Sequence, residues 1–347
     1  MVRGSRRRQQ AFALLAAIAL IIAPGALLAA AGFDVTRALT ALASGSLGSW
    51  YAFGSGTLVR ATPLILTGLA VAVAFRAGVF NIGADGQFLV GAAAATAAAL
   101  ALSSLPALAL IPVLLGAGIL GGAAWAWIAA VLRSRFHVLE VISTIVLNFI
   151  AINLLSYLVR GPLQEPTHVY PQTITFVVAA QLPRLGAGTR LHIGFPLAVV
   201  AGLAGWWLIR TTAAGFRLRI VGANPEAARS AGLIDVDRVT TNAFLISGAL
   251  AGFAGAIEVS GVTYALYENI SPGYGYTAIA VALLARLDAA AVIGTGIMFG
   301  ALETGAAAMQ RDAGVPSVVV SVVEAGLILA LLAFDQLRLR SSDLASE

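Results

Sequence analysis

The stretch FRAGVFNIGADGQF, residues 75–88, inserts charged, amide and glycine residues between two long apolar runs. Each run, 61–75 and 88–102, has about 15 residues, fewer than the ~20 that an apolar helix needs to cross a bilayer. We therefore expect residues Asn81 to Gln87 to form a break between two half-length helices, with the polar segment dipping into the membrane rather than lying in water.

The composition of the whole chain predicts a membrane protein. Of its 347 residues, 59% are hydrophobic and 11% are charged, and the mean hydropathy is +0.92. A soluble domain has about 25% charged residues. We predict an all-α, polytopic helical membrane protein with about ten transmembrane helices. The predicted spans are 11–31, 61–75, 88–104, 107–131, 138–158, 193–209, 240–259, 274–286, 289–308 and 315–334.

Several residue types that carry chemistry in enzymes are missing. All 21 basic residues are arginine, so the chain has no P-loop lysine and no lysine Schiff base. Cysteine is absent, which excludes disulfides, iron–sulfur clusters and thiol nucleophiles. The histidines His137, His168 and His192 lack the spacing of metal ligands. We expect no catalytic residue, no metal site and no nucleic-acid polymer as a partner, because arginines beside spans have a simpler cause.

The arginines also predict the topology. The basic segment MVRGSRRRQQ precedes an apolar run that could be a signal peptide, although its length and the many later spans favour a first helix entering from the cytoplasm. With that orientation, fifteen arginines face the cytoplasm and six face the other side, as the positive-inside rule demands. Both termini are then cytoplasmic, the loop 159–192 is extracytoplasmic, and the loop 210–239 is cytoplasmic.

The cytoplasmic loop contains NPEAARSAG, residues 224–232, which predicts a short helix capped at both ends. Asn224 is a good N-cap, and Pro225 suits the first helical position. Glu226 favours the first turn, and Gly232 ends the helix. A helix of two turns is unstable alone in water. It therefore either docks on another protein or packs as a connector on its own chain.

A second polar stretch echoes the first one. NISPGYGY, residues 269–276, matches NIGADGQF, residues 81–88, with one residue inserted. Both stretches are rich in glycine and lead into a short apolar helix. Our topology places the first toward the cytoplasm and the second toward the outside, as inverted-topology repeats require. We therefore predict an inverted-repeat fold.

One span carries three polar residues on a single helical face. Glu140, Thr144 and Asn148 follow one another at intervals of four residues. Asn148 lies in mid-span, where it either lines a cavity or bonds a neighbouring helix. Glu140 is expected to be structural, pairing with Arg133 or Arg135.

Other polar side chains in the spans leave the mechanism open. Glu258, Glu303 and Glu324 could relay protons in a secondary carrier, bond between helices, or face a water-filled pathway. The tyrosines near the second polar stretch form either an interfacial belt or stacking surfaces for a base or sugar. We expect Asp85 to be structural. The candidate residues of a solute pathway are Asn81, Gln87, Asn148, Asn269, Tyr274 and Tyr276.

Four stretches together resemble one family, the permease subunits of ABC importers in the branched-chain amino acid, ribose and nucleoside group. GFRLRIVGANPEAARSAGL resembles the loop that carries their coupling helix. FRAGVFNIGADGQF and RFHVLEVISTIVLNFIA are similar to signatures of the nucleoside and simple-sugar branch, and GYGYTAIAVALLARLDAAAVIGTGIMFGAL resembles a fourth. The resemblance covers roughly residues 57–335.

This resemblance implies a single permease domain over residues 1–347 that imports nucleosides or a related simple sugar across a bacterial cell membrane. It implies a separate ATPase that binds ATP, a second permease subunit, identical or paralogous, and an extracytoplasmic solute-binding protein. No cofactor is expected on this chain, which is surrounded by membrane lipid. The alternative is a proton- or sodium-coupled carrier that uses the intramembrane glutamates. The residues expected to contact the ATPase are Asn224, Pro225, Glu226, Ala227, Ala228, Arg229 and Gly232.

Overall fold

A computed structural model describes residues 25–316, except 27, 187, 231 and 233, together with isolated positions between 318 and 329. The predicted spans 11–31 and 315–334, and with them Glu324, lie largely outside the described residues. The chain forms two compact units by its internal contacts, one from residues 58–299 and one from the described residues before 58 and after 299. In this part of the chain no strand is formed, and the extended pairings are two isolated bridges.

The regular elements are helices, as the composition predicts. They are α1 (Val35–Leu47), α2 (Leu58–Arg76), α3 (Ala84–Ala101), α4 (Ala107–Phe136), α5 (Glu140–Arg160), α6 (Gly194–Thr211), α7 (Ala213–Ala223), α8 (Pro225–Ser230), α9 (Val236–Glu258), α10 (Tyr274–Leu284) and α11 (Ala291–Asp312). A π-helical segment, Ala52–Thr57, precedes α2, and another, Val259–Thr263, follows α9.

Seven helical segments of the described chain are long and apolar enough to cross a membrane, and α10 is a shorter apolar helix. Every predicted span between residues 61 and 308 overlaps one of these eight segments. The prediction of a helical membrane protein is therefore confirmed. The count of about ten spans and the sidedness of the termini stay predictions.

The first half-length helix predicted from the sequence is wrong. The helical segment Ala52–Arg76 has 25 residues, because it continues through Arg60 and Pro63 instead of starting after them. The break itself spans 77–83 and ends before α3, which has 18 residues and carries Asp85 and Gln87 in its first turn. The polar residues Asn81 to Gln87 therefore predicted neither the first nor the last residue of the break correctly.

A Schellman motif ends α2 at this break. Gly78 adopts the left-handed conformation with φ +73°. The Val79 N–H bonds the Ala74 carbonyl at 3.1 Å, and the Gly78 N–H bonds the Phe75 carbonyl at 3.0 Å. This pairing satisfies carbonyls that a helix end otherwise leaves open. The glycine therefore ends the helix just after Arg76, several residues ahead of the asparagine.

Glycines let three helices of the larger unit pack backbone to backbone. A Cβ atom at Gly252 of α9 would lie 2.2 Å from the Gly118 carbonyl oxygen of α4. One at Gly91 of α3 would lie 2.3 Å from the Gly252 Cα atom, and one at Gly122 of α4 would lie 2.2 Å from the Gly248 carbonyl oxygen. Small residues permit such close helix contact in membranes. Together with α2, which is buried along its length, these helices form the core.

The outer faces of α4, α5 and α6 are apolar and exposed. Leu108 is 91% exposed and Leu120 is 70% exposed, although both side chains are apolar. Lipid tails are as apolar as these side chains. Such surfaces fit a helix bundle that is surrounded by lipid.

The segment between α5 and α6 lies along the chain that follows α9. The N–H groups of Thr173, Phe176 and Leu182 donate to carbonyls of Leu266, Tyr264 and Ser260 at 2.7–2.8 Å. The segment contains one 3₁₀ turn, Val178–Ala180. It is therefore tied to the residues that lead into the second polar stretch.

Candidate functional site

The first break is held by a pair of buried amides. Asn81 and Gln87 exchange two hydrogen bonds, of 3.0 and 3.1 Å, between their side chains. The Asn81 amide also donates to the Ser247 hydroxyl at 2.9 Å and accepts the Gly83 N–H at 2.9 Å. Both amide side chains are at most 1% exposed. In this conformation they stabilise the break, and their contact with a solute stays a prediction.

Asn148 of α5 joins the first break to α10. Its Oδ1 atom accepts the Gly86 N–H at 2.8 Å, and its Nδ2 atom donates to the Ile82 carbonyl at 2.9 Å and to the Tyr276 hydroxyl at 3.1 Å. The side chain is fully buried. Of the two alternatives left open by the sequence, the structure shows hydrogen bonding to neighbouring segments. A contact between Asn148 and a solute stays a prediction.

The expected pairing of Glu140 is confirmed with one of its two candidates. The Glu140 carboxylate lies 3.4 Å from Arg133 Nε. Thr144, one turn further along α5, donates to the Glu140 carbonyl at 2.7 Å and accepts the Ile82 N–H at 3.3 Å. Thr144 and Asn148 are therefore the α5 residues that bond the first break and the start of α3.

The two polar stretches meet at the starts of α3 and α10. The Asp85 Oδ1 atom accepts the Ser271 hydroxyl at 2.7 Å and the Gly275 N–H at 3.0 Å. A Cβ atom at Gly275 would lie 2.1 Å from the Asp85 backbone nitrogen. The structural role expected for Asp85 is confirmed. Glycine thus lets the two helix starts meet, and the placement of the two stretches toward opposite sides of the membrane stays a prediction.

The second break, residues 264–273, borders a cavity. Asn269 has φ +58° and an exposed side chain, whereas Tyr274 is 5% exposed and packs on Phe88 with ring centroids 5.7 Å apart. Tyr276 is 43% exposed. The cavity measures about 280 Å³ and is lined by Asp85, Leu89, Ile152, Asn153, Leu155, Ser156, Glu268, Asn269 and Ser271.

An ion pair lies beside this cavity. Glu268 accepts Arg160 Nε at 2.6 Å and Arg160 Nη2 at 2.8 Å, and it also accepts the Ser156 hydroxyl. These hydrogen bonds lower the pKa of the Glu268 carboxyl to about 2. Sequence reasoning missed this cluster. Its signal was available on α5, where Asn153, Ser156 and Arg160 recur with the helical spacing that places them on one face.

Two of the glutamates considered for ion coupling, Glu258 and Glu303, belong to the described residues. Glu258 ends α9 and is 5% exposed, and Glu303 is partly buried in α11. Neither residue lines the cavity at the second break. The tyrosines Tyr264 and Tyr267 follow α9, and the Tyr264 hydroxyl lies 3.4 Å from Arg184 Nη2.

The short helix predicted around Asn224 is present as α8, Pro225–Ser230. The Asn224 side chain caps it by accepting the Ala227 N–H at 2.9 Å, and Gly232 has φ +68° beyond its end. Of the residues in α8, Ala228 is buried in an apolar cluster with Val221 and Val236.

A further helix, α7, lies in the segment that the sequence predicted as loop. Thr212 caps it by accepting the Gly215 N–H at 3.1 Å. Its arginines made it too polar for a span, which is why the sequence suggested a loop. An open groove of about 600 Å³ runs between α7, α8 and Ile234.

The end of α7 touches the start of the first break. A Cβ atom at Gly222 would lie 2.0 Å from the Arg76 carbonyl oxygen and 2.9 Å from the Arg76 carbonyl carbon. Arg76 Nη1 also donates to the Leu287 carbonyl at 2.8 Å, at the turn between α10 and α11. One backbone contact thus joins the segment that carries α8 to the segment that carries Asn81.

Comparisons with known proteins agree with this architecture. The family described as branched-chain amino acid transport system, permease component, matches residues 53–332. The glucose ABC transporter permease protein TsgB13 of Haloferax volcanii is 42% identical over 79% of this chain and 74% of its own length. The guanosine ABC transporter permease protein NupP of Bacillus subtilis is 39% identical over 91% of both chains.

A third relative, the nucleoside ABC transporter permease protein NupB of Lactococcus lactis, is 32% identical over 82% of this chain and 79% of its own length. These relatives are transport components rather than enzymes, and they lend no support to the ion-coupled alternative. With its helical spans and its match over most of the sequence, the chain belongs to the permease family of branched-chain amino acid type ABC transport systems.

Proposed function

We propose that this chain is the membrane-spanning permease subunit of an ATP-driven importer for a nucleoside or a related simple sugar. Relatives named for guanosine, nucleosides and glucose support this solute class. The chain itself performs no covalent chemistry and holds no cofactor. ATP is bound by a partner ATPase, whose cycle drives the permease between outward and inward openings.

The proposal that α8 couples to the ATPase rests on how few contacts hold α8 to its own chain. A six-residue helix has no stability of its own in water. Within α8 only Ala228 is buried, and Arg229 adds an exposed ion pair to Asp237 of α9, with Nη2 and Oδ1 3.2 Å apart. The side chains of Glu226, Ala227 and Arg229 are exposed. Such a helix offers an exposed polar face beside an open groove. The residues proposed to contact the ATPase are Asn224, Pro225, Glu226, Ala227, Ala228, Arg229 and Gly232.

The contact between Gly222 and Arg76 supports a route from this helix to the solute pathway. A displacement of α8 moves α7, to which it is joined through Asn224. Because a Cβ atom has no room at Gly222, α7 and the first break are in direct backbone contact and move together. The pathway residues proposed from the sequence lie in the two breaks, at the starts of the helices after them, or in contact with them. They are Asn81, Gln87, Asn148, Asn269, Tyr274 and Tyr276.

The same proposal includes the assembly and its orientation. Two permease subunits, identical or paralogous, form the pathway in a bacterial cell membrane, and a solute-binding protein delivers the solute from outside. About ten spans, cytoplasmic termini and an inverted repeat complete a single permease domain over residues 1–347. The excess of arginine on one side supports an extracytoplasmic loop at 159–192 and a cytoplasmic one at 210–239.

The test is to express the permease with its ATPase and binding protein and to measure ATP-dependent uptake of guanosine and glucose. The double variant Glu226→Arg with Arg229→Glu reverses the exposed charges of α8, so we expect loss of ATPase co-purification and of uptake. The control Arg37→Glu reverses an exposed charge on α1 and keeps both. Normal co-purification and uptake in the double variant would show that α8 does not couple the ATPase.

A further inference from the structure

The cavity beside the second break is the strongest unassigned feature of the described chain. We propose that it binds the uncharged, hydroxyl-bearing ring of the imported solute, either the ribose of a nucleoside or a simple sugar. This inference rests on the proposed function and assigns a site to it. It places the solute contacts at Asn269, a candidate from the sequence, and at Asp85 and Asn153, rather than at the buried amides Asn81 and Gln87.

The size and lining of the cavity suit a sugar ring. A volume of about 280 Å³ equals that of about nine waters at roughly 30 Å³ each. Small-molecule sites combine apolar walls with a few placed polar groups. Here Leu89, Ile152 and Leu155 provide apolar contact for the C–H groups of a ring, and the remaining lining residues are polar.

The polar groups of the lining have free hydrogen-bonding capacity. Within the described chain, the Asn269 side chain makes no hydrogen bond, and Asn153 uses only its Nδ2 atom, which donates to the Phe149 carbonyl at 2.7 Å. Asp85 uses Oδ1 and leaves Oδ2 open. A sugar hydroxyl both donates and accepts. Amides and a carboxylate side by side therefore provide the mixture of donors and acceptors that vicinal hydroxyls need.

The charge of the lining excludes anions. It contains the carboxylates of Asp85 and Glu268 but no basic side chain. The adjacent Arg160 is engaged by Glu268 through two N–H donors. A phosphate or a free carboxylate would lose its hydration here without gaining a partner, which is costly for a charged group. The cavity therefore favours a nucleoside or sugar over a nucleotide or an amino acid.

The cavity lies where the start of α3 meets the second break, so a bound solute would contact both segments. Asp85 belongs to α3 and holds the start of α10, whereas Asn269 belongs to the second break. A solute that bonds both residues makes contacts on both sides of the junction between α3 and the second break.

The absence of cysteine from the chain permits a direct test. Asn153→Cys and Asn269→Cys are introduced singly into the assembled importer in lipid nanodiscs, and the rate of labelling by a methanethiosulfonate reagent is measured. The matched control is Asn242→Cys, at an exposed asparagine of α9 outside the cavity lining. Each variant is labelled alone and with guanosine, glucose, guanosine 5′-monophosphate or leucine.

The solute is added at about ten times its dissociation constant, which leaves about a tenth of the sites empty. Because only empty sites react, we expect guanosine or glucose to slow labelling at both cavity positions about tenfold. The control, the nucleotide and leucine show no such protection. If the importer takes up guanosine or glucose but neither solute protects, the cavity assignment is wrong and the proposed function stands. If guanosine 5′-monophosphate or leucine protects as well as guanosine or glucose does, the cavity does not select uncharged rings and this part of the proposal is wrong. If the unmodified importer takes up neither solute, the proposed function itself fails.

Discussion

The two breaks begin with the same Asn-Ile dipeptide and use the asparagine in opposite ways. Asn81 is fully buried, and its amide makes four hydrogen bonds, to Gln87 twice, to Ser247 and to Gly83. Asn269 is exposed, and its side chain makes none within the described chain. A buried amide that loses its partners is costly, whereas an exposed one exchanges them with water. The asparagine of the first break thus stabilises the fold, whereas the asparagine of the second break is accessible from outside the protein.

The difference arises from what surrounds each dipeptide. Around Asn81, the neighbours α5 and α9 supply Thr144, Asn148 and Ser247. The backbone of Asn269 is left-handed, a conformation that asparagine tolerates better than most residues. Sequence similarity between two segments therefore does not imply that their polar side chains have the same role.

The largest expected effect is at the junction of the two breaks. Gly275→Ala would place a Cβ atom 2.1 Å from the Asp85 backbone nitrogen, which cannot move as a side chain would. We expect loss of folded permease, with a cost of about 3 kcal/mol or more. The measurement is the yield of monodisperse protein after detergent extraction. Gly294→Ala, where nothing lies within 4 Å, is the matched control, and similar yields from both variants would contradict the close contact.

The next comparison exchanges each asparagine for leucine. Asn81→Leu leaves Gln87, Ser247 and the Gly83 N–H without a partner, at roughly 1–3 kcal/mol for each buried group. Asn269→Leu removes no hydrogen bond within the described chain but places leucine in a left-handed conformation, so we expect a smaller cost of about 1 kcal/mol. Thermal unfolding midpoints in detergent report both effects. Equal midpoints would show that the two breaks do not differ as described.

A smaller and pH-dependent effect is expected at His192, which ends the segment that lies along the second break. Burial, with contributions from Arg190 and Arg184, lowers the pKa of its imidazole from 6.5 to about 4. Between these values the unfolded chain binds a proton that the folded protein does not. Stability is therefore full above pH 6.5 and falls by up to about 3 kcal/mol as the pH approaches 4.

His192→Asn tests this pH dependence, because asparagine keeps an acceptor for the Gly194 N–H, which now bonds His192 Nδ1 at 3.1 Å, but does not titrate. The thermal midpoint is measured from pH 7.5 to 4.5 for both proteins. We expect the native protein to lose more stability than the variant over this range. Parallel curves would mean that His192 is not the group that titrates.

The smallest effect is expected from Glu268→Gln. The ion pair with Arg160 is largely exposed on the arginine side, at 62%, and such surface pairs add little to stability because water screens them. Because the pKa of Glu268 is about 2, the contribution of the pair is complete above the ordinary value of 4.5 and is lost as the pH falls toward 2. Midpoints measured between pH 5 and 8 should therefore shift little and stay constant. A large drop would show that the ion pair supports the second break.

Much of the candidate site was predictable where its causes are local. The cap of α8 needs only Asn224 and the next three residues, and the Arg133–Glu140 pair lies within seven residues. The cluster at the second break was not predictable in this way. Arg160 and Glu268 are 108 residues apart, and only packing brings them together.

The sequence by itself determined a helical membrane protein, the short capped helix, the two polar breaks and the family, because hydropathy, capping and motifs act over short distances. The tertiary structure alone decided what the breaks do. Ser247 reaches Asn81 from 166 residues away, and Gly275 reaches Asp85 from 190 residues away. Such contacts bury one asparagine and expose the other, since burial depends on which helices meet and not on the residues that precede them.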